Sequence, residues 1–246
     1  MLKIVSLLLF ILLSSSTLFA ECDMDLLYDI QTELKEDRKI VEKLTVCKKW
    51  PYKDELSIFV MTFPNVGTTD ENLEDDLADY DVHTIIYNTN KKVIENHLYQ
   101  EKLYSSDAVR LDHLKIDTAR YNLNKDTRAF GINAVYYGSS RVNPYDVTSL
   151  DLYIRDKKSL RKVLETVIVE NGGEWDGVCN GDFYYQSSIV LIDKSKRNGF
   201  YNLKLKRTSM DNHIVLKDKI CKENESPKRY EYLPFIYDGQ SYKVNK

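Results

Sequence analysis

Between Leu114 and Leu123 the residues alternate between two faces, and Asn124-Lys-Asp126 offers a reversal. Ala129–Tyr137 and Leu150–Arg155 repeat that pattern, separated by Gly138-Ser-Ser140 and Asn143-Pro144. Three consecutive strands are therefore expected at the centre of the chain. Leu56–Phe63 reads as an earlier strand, stopped by Pro64-Asn65. Val82–Tyr87 and Val93–Tyr99 flank Asn88-Thr-Asn-Lys-Lys92 as a hairpin. Leu160–Glu170 fits two periods, because Leu160, Val163, Leu164 and Val167 suit a helix while Val167-Ile-Val169 suits a strand. The following Gly172-Gly173 favours the strand. Tyr184–Ile192, Phe200–Lys206 and His213–Lys217 continue the pattern, and Tyr230–Tyr237 with Ser241–Val244 forms a last hairpin about Asp238-Gly239. Asp23–Leu44 differs: Leu26, Leu27, Ile30, Leu34, Val41 and Leu44 recur at three- and four-residue spacings, and its charged middle reads as a solvated helix face or a turn. The predicted class is mainly β with an N-terminal helix (α+β), as an antiparallel meander, sandwich or partly closed barrel.

Residues 1–20 carry Lys3, the apolar run Ile4–Leu13 and a small residue at Ala20, the pattern of a cleaved secretory leader. The expected organisation is leader 1–20, helical segment 21–50 and antiparallel β domain 51–246. No later run is apolar for long enough to be a membrane span. An oxidising address makes disulfides the first reading of Cys22, Cys47, Cys179 and Cys221; of three pairings, Cys22–Cys47 with Cys179–Cys221 is favoured, each stapling one region. With 35 Lys+Arg against 38 Asp+Glu and no long basic run, nucleic acid is set aside as a partner.

Catalytic signatures are scarce. His83, His97, His113 and His213 form no metal-ligand spacing, although His83 and His97 could face each other across the hairpin; exposed strand residues are the expectation, and no metal or cofactor is predicted. The acidic segment Asp70–Asp81 lacks the spacing and glycine of an EF-hand and reads as a solvated loop or short helix. Glu174 and Asp176 beside Trp175 are the local candidates for glycan chemistry or binding. Arg120, Arg128 and Arg141 could receive an anionic partner, or pair with Asp107, Asp112 or Asp117. Eighteen tyrosines suit a half-buried sheet and also a recognition surface.

Cys47-Lys-Lys-Trp-Pro51, Ser106-Asp-Ala108, Ile116–Tyr121, Arg128–Gly131, Ser140-Arg141, Gly173–Asp176 and Tyr237–Gly239 together resemble a group of uncharacterised exported proteins of Gram-negative bacteria. The likeness extends over most of the chain after the leader. It implies a periplasmic (or secreted) address and brings no activity, cofactor or catalytic residue. The expected function is a non-catalytic binding or interaction protein (an envelope factor, inhibitor or immunity-type protein) whose partner is an unknown protein or envelope glycan. The alternative is an envelope hydrolase or glycan-active protein using Trp175 and its carboxylates.

Overall fold

The computed structural model describes residues 22–65, 67 and 77–245. It has one α-helix, α1 (Met24–Leu34), and thirteen strands among the described residues. β1 (Val46–Lys49), β2 (Leu56–Pro64), β3 (Ala78–Asn88) and β4 (Val93–Ser106) make a sheet in that order. The second sheet holds β5 (Val109–Asn122), β6 (Arg128–Gly138), β7 (Tyr145–Asp156), β8 (Ser159–Trp175), β9 (Gly181–Arg197) and β10 (Phe200–Lys217). β11 (Ile220–Glu225), β12 (Arg229–Tyr237) and β13 (Tyr242–Val244) complete it. Its order is β13-β12-β10-β9-β8-β7-β6-β5, with β11 also beside β10, and neither sheet closes into a barrel. The expected mainly β, antiparallel class is what the chain adopts.

α1 begins where the Asp23 carboxylate accepts from the N–H groups of Asp25 and Leu26. It ends at Leu34, ten residues before the expected Leu44, capped by Lys35 at φ +55°. The reason lies in the charged stretch that follows. The Gln31 side chain donates to the carbonyls of Glu36 (2.8 Å) and Arg38 (2.7 Å), folding the chain back. Glu36 and Arg38 then turn inward rather than forming a solvated helix face. Leu27 and Ile30 pack on Phe59, Met61, Phe63 and Ile85, so the helix covers a face of the first sheet. Cys22–Cys47 ties the start of this segment to β1, and Cys179–Cys221 is the second bridge, as the favoured pairing has it. Residues 70–76 of the acidic segment, and residues 1–20, expected as a leader, lie outside the described residues; Asp79 and Asp81 belong to β3.

β2 is apolar on both faces because both are covered. Phe59, Met61 and Phe63 meet α1, whereas Ile58 and Val60 meet Phe130, Ile132, Ala134 and Tyr153 of the second sheet. That second sheet then divides. β8 pairs with β9 only from Trp175↔Gly181 to Val169↔Ser187; beyond this point β8 continues with β7, and β9 with β10. One leaf is therefore β5–β8. The other, made from the far half of β9 with β10, β12 and β13, folds over the first leaf's second face. Leu150, Leu152, Ile154, Val163 and Leu164 there meet Leu203, Leu205, Phe235, Tyr237 and Tyr242. The Tyr201 N–H donates to Leu123 O (2.7 Å), and Arg161 donates to the Tyr237 hydroxyl (2.9 Å), fastening the leaves. Helix, sheet, leaf and leaf stack as four layers.

The core also holds a carboxylate. Asp151 lies beside Ile132 in register and is buried, with Lys162 Nζ 3.3 Å from Oδ2. Its Oδ1 and the Tyr104 hydroxyl have no hydrogen-bond partner among the described residues. Burial pushes the Asp151 carboxyl up to about 6, against the attraction of Lys162.

Two predictions follow from this packing. Because Asp151 titrates near 6 in the fold against 3.8 unfolded, the stability it contributes is complete below 3.8 and lost as pH rises through 6. Denaturant titrations should show wild type losing about 3 kcal/mol relative to Asp151→Asn across that interval; parallel curves would refute the assignment. Replacing both Cys22 and Cys47 by serine should cost roughly 3–4 kcal/mol and speed amide exchange in α1. Replacing Cys179 and Cys221 should instead speed exchange in β11 and the adjoining end of β10, leaving α1 protected.

Candidate interaction surface and buried polar network

The β8–β9 turn carries the Trp175 group. Trp175 is 36% exposed at the end of β8, its N–H donating to Val142 O. Asp176 is committed to the turn itself: Oδ1 accepts from the N–H groups of Val178, Cys179 and Asn180, and Oδ2 from the Asn180 side-chain amide. Donors from Asn180 and Val178 hold its carboxyl well below the usual carboxylate range. Glu174 faces a different carboxylate, Asp182, directly across the strand pair. Asp182 Oδ1 is 2.6 Å from His213 Nδ1 on β10. A shallow groove of about 520 Å³ begins there, lined by Asp182, Tyr184, Asp211, His213 and Asn224. Gly172 permits the Tyr184 ring to lie across β8, since a Cβ there would meet the ring's Cζ at 2.8 Å. The Glu174–Asp182–His213 group was missed because it depends on which residues oppose one another.

The three arginines are not brought together. Arg120 and Arg128 lie near the β5–β6 turn, while Arg141 lies beyond the opposite end of β6. Arg128 donates to Thr118 O (2.9 Å) and lies over the Tyr52 ring, 5.1 Å from its centre. Their suggested acidic partners are engaged elsewhere: Asp107 accepts from Val109 N, Asp112 contacts His113, and Asp117 accepts from Ala119 N and the Tyr121 hydroxyl.

An exposed apolar group lies on the outer leaf. Ile189, Lys206 and Tyr232 oppose one another across β9, β10 and β12, as do Leu191, Lys204 and Pro234, so both rows share a face. The alternate residues Val190, Leu203, Leu205, Leu233 and Phe235 point into the core. Ile189 is 56% exposed, Tyr230 61% and Tyr232 54%. Lys206 Nζ lies 5.6 Å above the Tyr230 ring, and Lys204 pairs with Asp193 at 2.5 Å. A groove of about 560 Å³ runs along this face, lined by Leu191, Ile192, Lys194 and Tyr232 among others. Apolar, aromatic and basic side chains are thus grouped on one solvent-facing sheet face. Its sequence signal is Ile189-Val-Leu-Ile192, a run apolar at both parities of which only Val190 packs against the core.

A second polar cluster sits under α1. His83 and His97, expected as exposed strand residues, meet inside with Nδ1 and Nε2 2.9 Å apart and rings stacked at 5.0 Å. His83 Nε2 lies 3.4 Å from Glu36 Oε2, without hydrogen-bond alignment. Arg38 forks onto Glu36 and also reaches Asp81, which accepts further from Tyr99, Asn65 and Lys102 N. Burial and the neighbouring His97 pull the His83 imidazole down to about 4. Burial works against ionisation of Asp81, but the bond from Arg38 and its other donors outweigh this and hold it at about 2. Among the described residues no set of three or more His, Cys, Asp and Glu is placed to hold a metal ion.

Comparison of the chain with protein-family models, curated proteins and solved structures returned no match. The surface chemistry must therefore be read from the residues themselves.

His83 gives an acid-side prediction. Its pKa is about 4 folded against 6.5 unfolded, so the stability it contributes is complete above 6.5 and lost as pH falls towards 4. His83→Gln should be less stable than wild type at pH 7, yet lose roughly 3 kcal/mol less across that interval. Equal slopes in urea titrations between those limits would contradict the buried neutral imidazole.

Proposed function

We propose that this chain is a non-catalytic, exported interaction protein that engages its partner through the outer face of the β9–β10–β12 leaf. One observation carries the reading: Ile189, Leu191, Tyr230 and Tyr232 are exposed together on one sheet face, where a free monomer gains nothing by displaying them. Tyrosines with a basic neighbour such as Lys206 also supply contact area at low conformational cost. Two disulfides fit an oxidising, extracytoplasmic setting. No helix among the described residues is long and apolar enough to cross a membrane. The finer periplasmic address rests on the leader pattern and on the likeness to exported proteins.

A second reading, action on envelope glycans at the β8–β9 tip, has the Glu174–Asp182 pair and His213 in its favour. Trp175 alongside would offer a sugar-stacking ring.

In-cell photo-crosslinking separates the two. A benzophenone side chain at position 189 or 232 should give a discrete adduct, and the same group at Lys125, on the exposed β5–β6 turn, should give none. Adducts absent from 189 and 232, or equal at all three positions, would overturn the interaction reading. Loss of glycan turnover by the purified protein on Glu174→Gln or Asp182→Asn would establish the second reading in its place.

A further inference from the structure

The outer leaf has an open strand edge as well as an exposed face. Pairing of β8 with β9 stops at Ser187, and among the described residues no strand lies along the same edge of Ser188–Arg197. An unpaired edge presents a row of backbone donors and acceptors to any extended chain. Edges are ordinarily blunted by lysine or proline. Here the charges sit at one end, Lys194, Lys196 and Arg197, and Ser188-Ile-Val-Leu-Ile192 has neither charge nor proline. Ile189, Leu191 and Ile192 are exposed along that uncharged half. In the free protein such an edge is an aggregation hazard; covered by a strand, it is a binding site.

Charge selects the occupant. Lys194, Lys196, Arg197 and Lys206 have no carboxylate within ion-pair distance among the described residues, and Asp193 is already paired with Lys204. The basic end thus stands out on a chain whose formal net charge is −3. A second copy would bring the same excess of positive charge to the edge. An anionic lipid or glycan would satisfy the lysines, but it would leave the backbone groups of Ser188–Ile192 unpaired. An extended acidic polypeptide satisfies the backbone, the apolar row and the cations together.

We infer that the free edge of β9, from Ser188 to Ile192, receives an extended acidic segment of a partner protein as an added strand, ahead of the irregular stretch where Asp193 accepts from the Ser195 N–H. The segment's apolar side chains lie beside Ile189 and Leu191, and its carboxylates meet Lys206 on that face and Lys194 at the end of the apolar run. This inference rests on the interaction reading above and specifies its partner.

The test is selection of a randomised decamer display library on the full chain after leader removal, followed by synthesis of the enriched peptides. Enriched sequences should combine apolar residues with an excess of acidic ones. Binding should fall by about tenfold or more on Lys194→Glu/Lys206→Glu, and on N-methylation of alternate peptide amides along the pairing edge. Hydrogen exchange should slow at Ser188–Ile192 and nowhere in β5–β7. Four results would overturn it: no enrichment; enriched peptides without acidic excess; binding indifferent to N-methylation; or β9 amides left unprotected. Equal binding to phosphatidylglycerol vesicles with unprotected amides would assign the face to anionic lipid. Concentration-dependent dimerisation that protects the same amides would assign it to a second copy. Crosslinks at 189 and 232 alongside failed selection would refute this inference alone; loss of both would refute the interaction reading as well.

Discussion

The leaf made by β5–β8 has to be buried on both sides, and the other layers are arranged by that requirement. One face presents Phe130, Ile132, Ala134 and Tyr153 to the first sheet, and the other presents Leu150, Leu152 and Ile154 to the outer leaf. Such a leaf cannot be satisfied by a two-layer sandwich. The four-stranded sheet covers one side, and the second sheet divides at Val169 and Ser187 so that its own far strands cover the other. Close approach between strands matters here: at Gly131 a Cβ would lie 2.6 Å from Leu150 Cδ1. That position opposes Leu152 in register, and its lack of a side chain makes room for two leucines.

Much of this was legible in the chain, and the departures have identifiable causes. The β3–β4 and β12–β13 hairpins and the central strands followed from alternation and turn residues. The double reading of Leu160–Glu170 arose from two irregularities in β8, where Val163 and Ile168 are passed over in the register with β7. Each inserts one residue into a two-residue period, so Leu160, Val163, Leu164 and Val167 acquire helical spacing while remaining a strand. The helix was overextended for the opposite reason: its charged half resembles a solvated face, but Glu36 and Arg38 find partners inside. β1 and β11 are short or polar and offered no periodic signal. Phe200–Lys206 and His213–Lys217 are the two ends of one strand, β10.

The surface was less legible than the fold. Local composition drew attention to Trp175 and its acidic neighbours, yet Asp176 serves its turn, and the carboxylate opposite Glu174 comes from β9. The exposed row of Ile189, Lys206 and Tyr232 draws one residue from each of three strands, so only register assembles it. His83 and His97 could be suspected of meeting, but their burial depended on α1 and the following loop closing over β3. Burial displaces the titrations of Asp151 and His83 in ways that oppose each other over mildly acidic pH.

The order of strands in the second sheet has a consequence for how the chain reaches its structure. From β5 to β10 each strand pairs with its immediate successor, so pairing can proceed by closing one short loop after another, each at small entropic cost. The distant steps are few: α1 and its loop settling on the first sheet, and the closing of β10, β12 and β13 over β7 and β8. Each strand can therefore pair with its predecessor before the rest of the chain is in place. The outer leaf, formed last in sequence and least enclosed, is the part whose apolar row stays open longest during assembly.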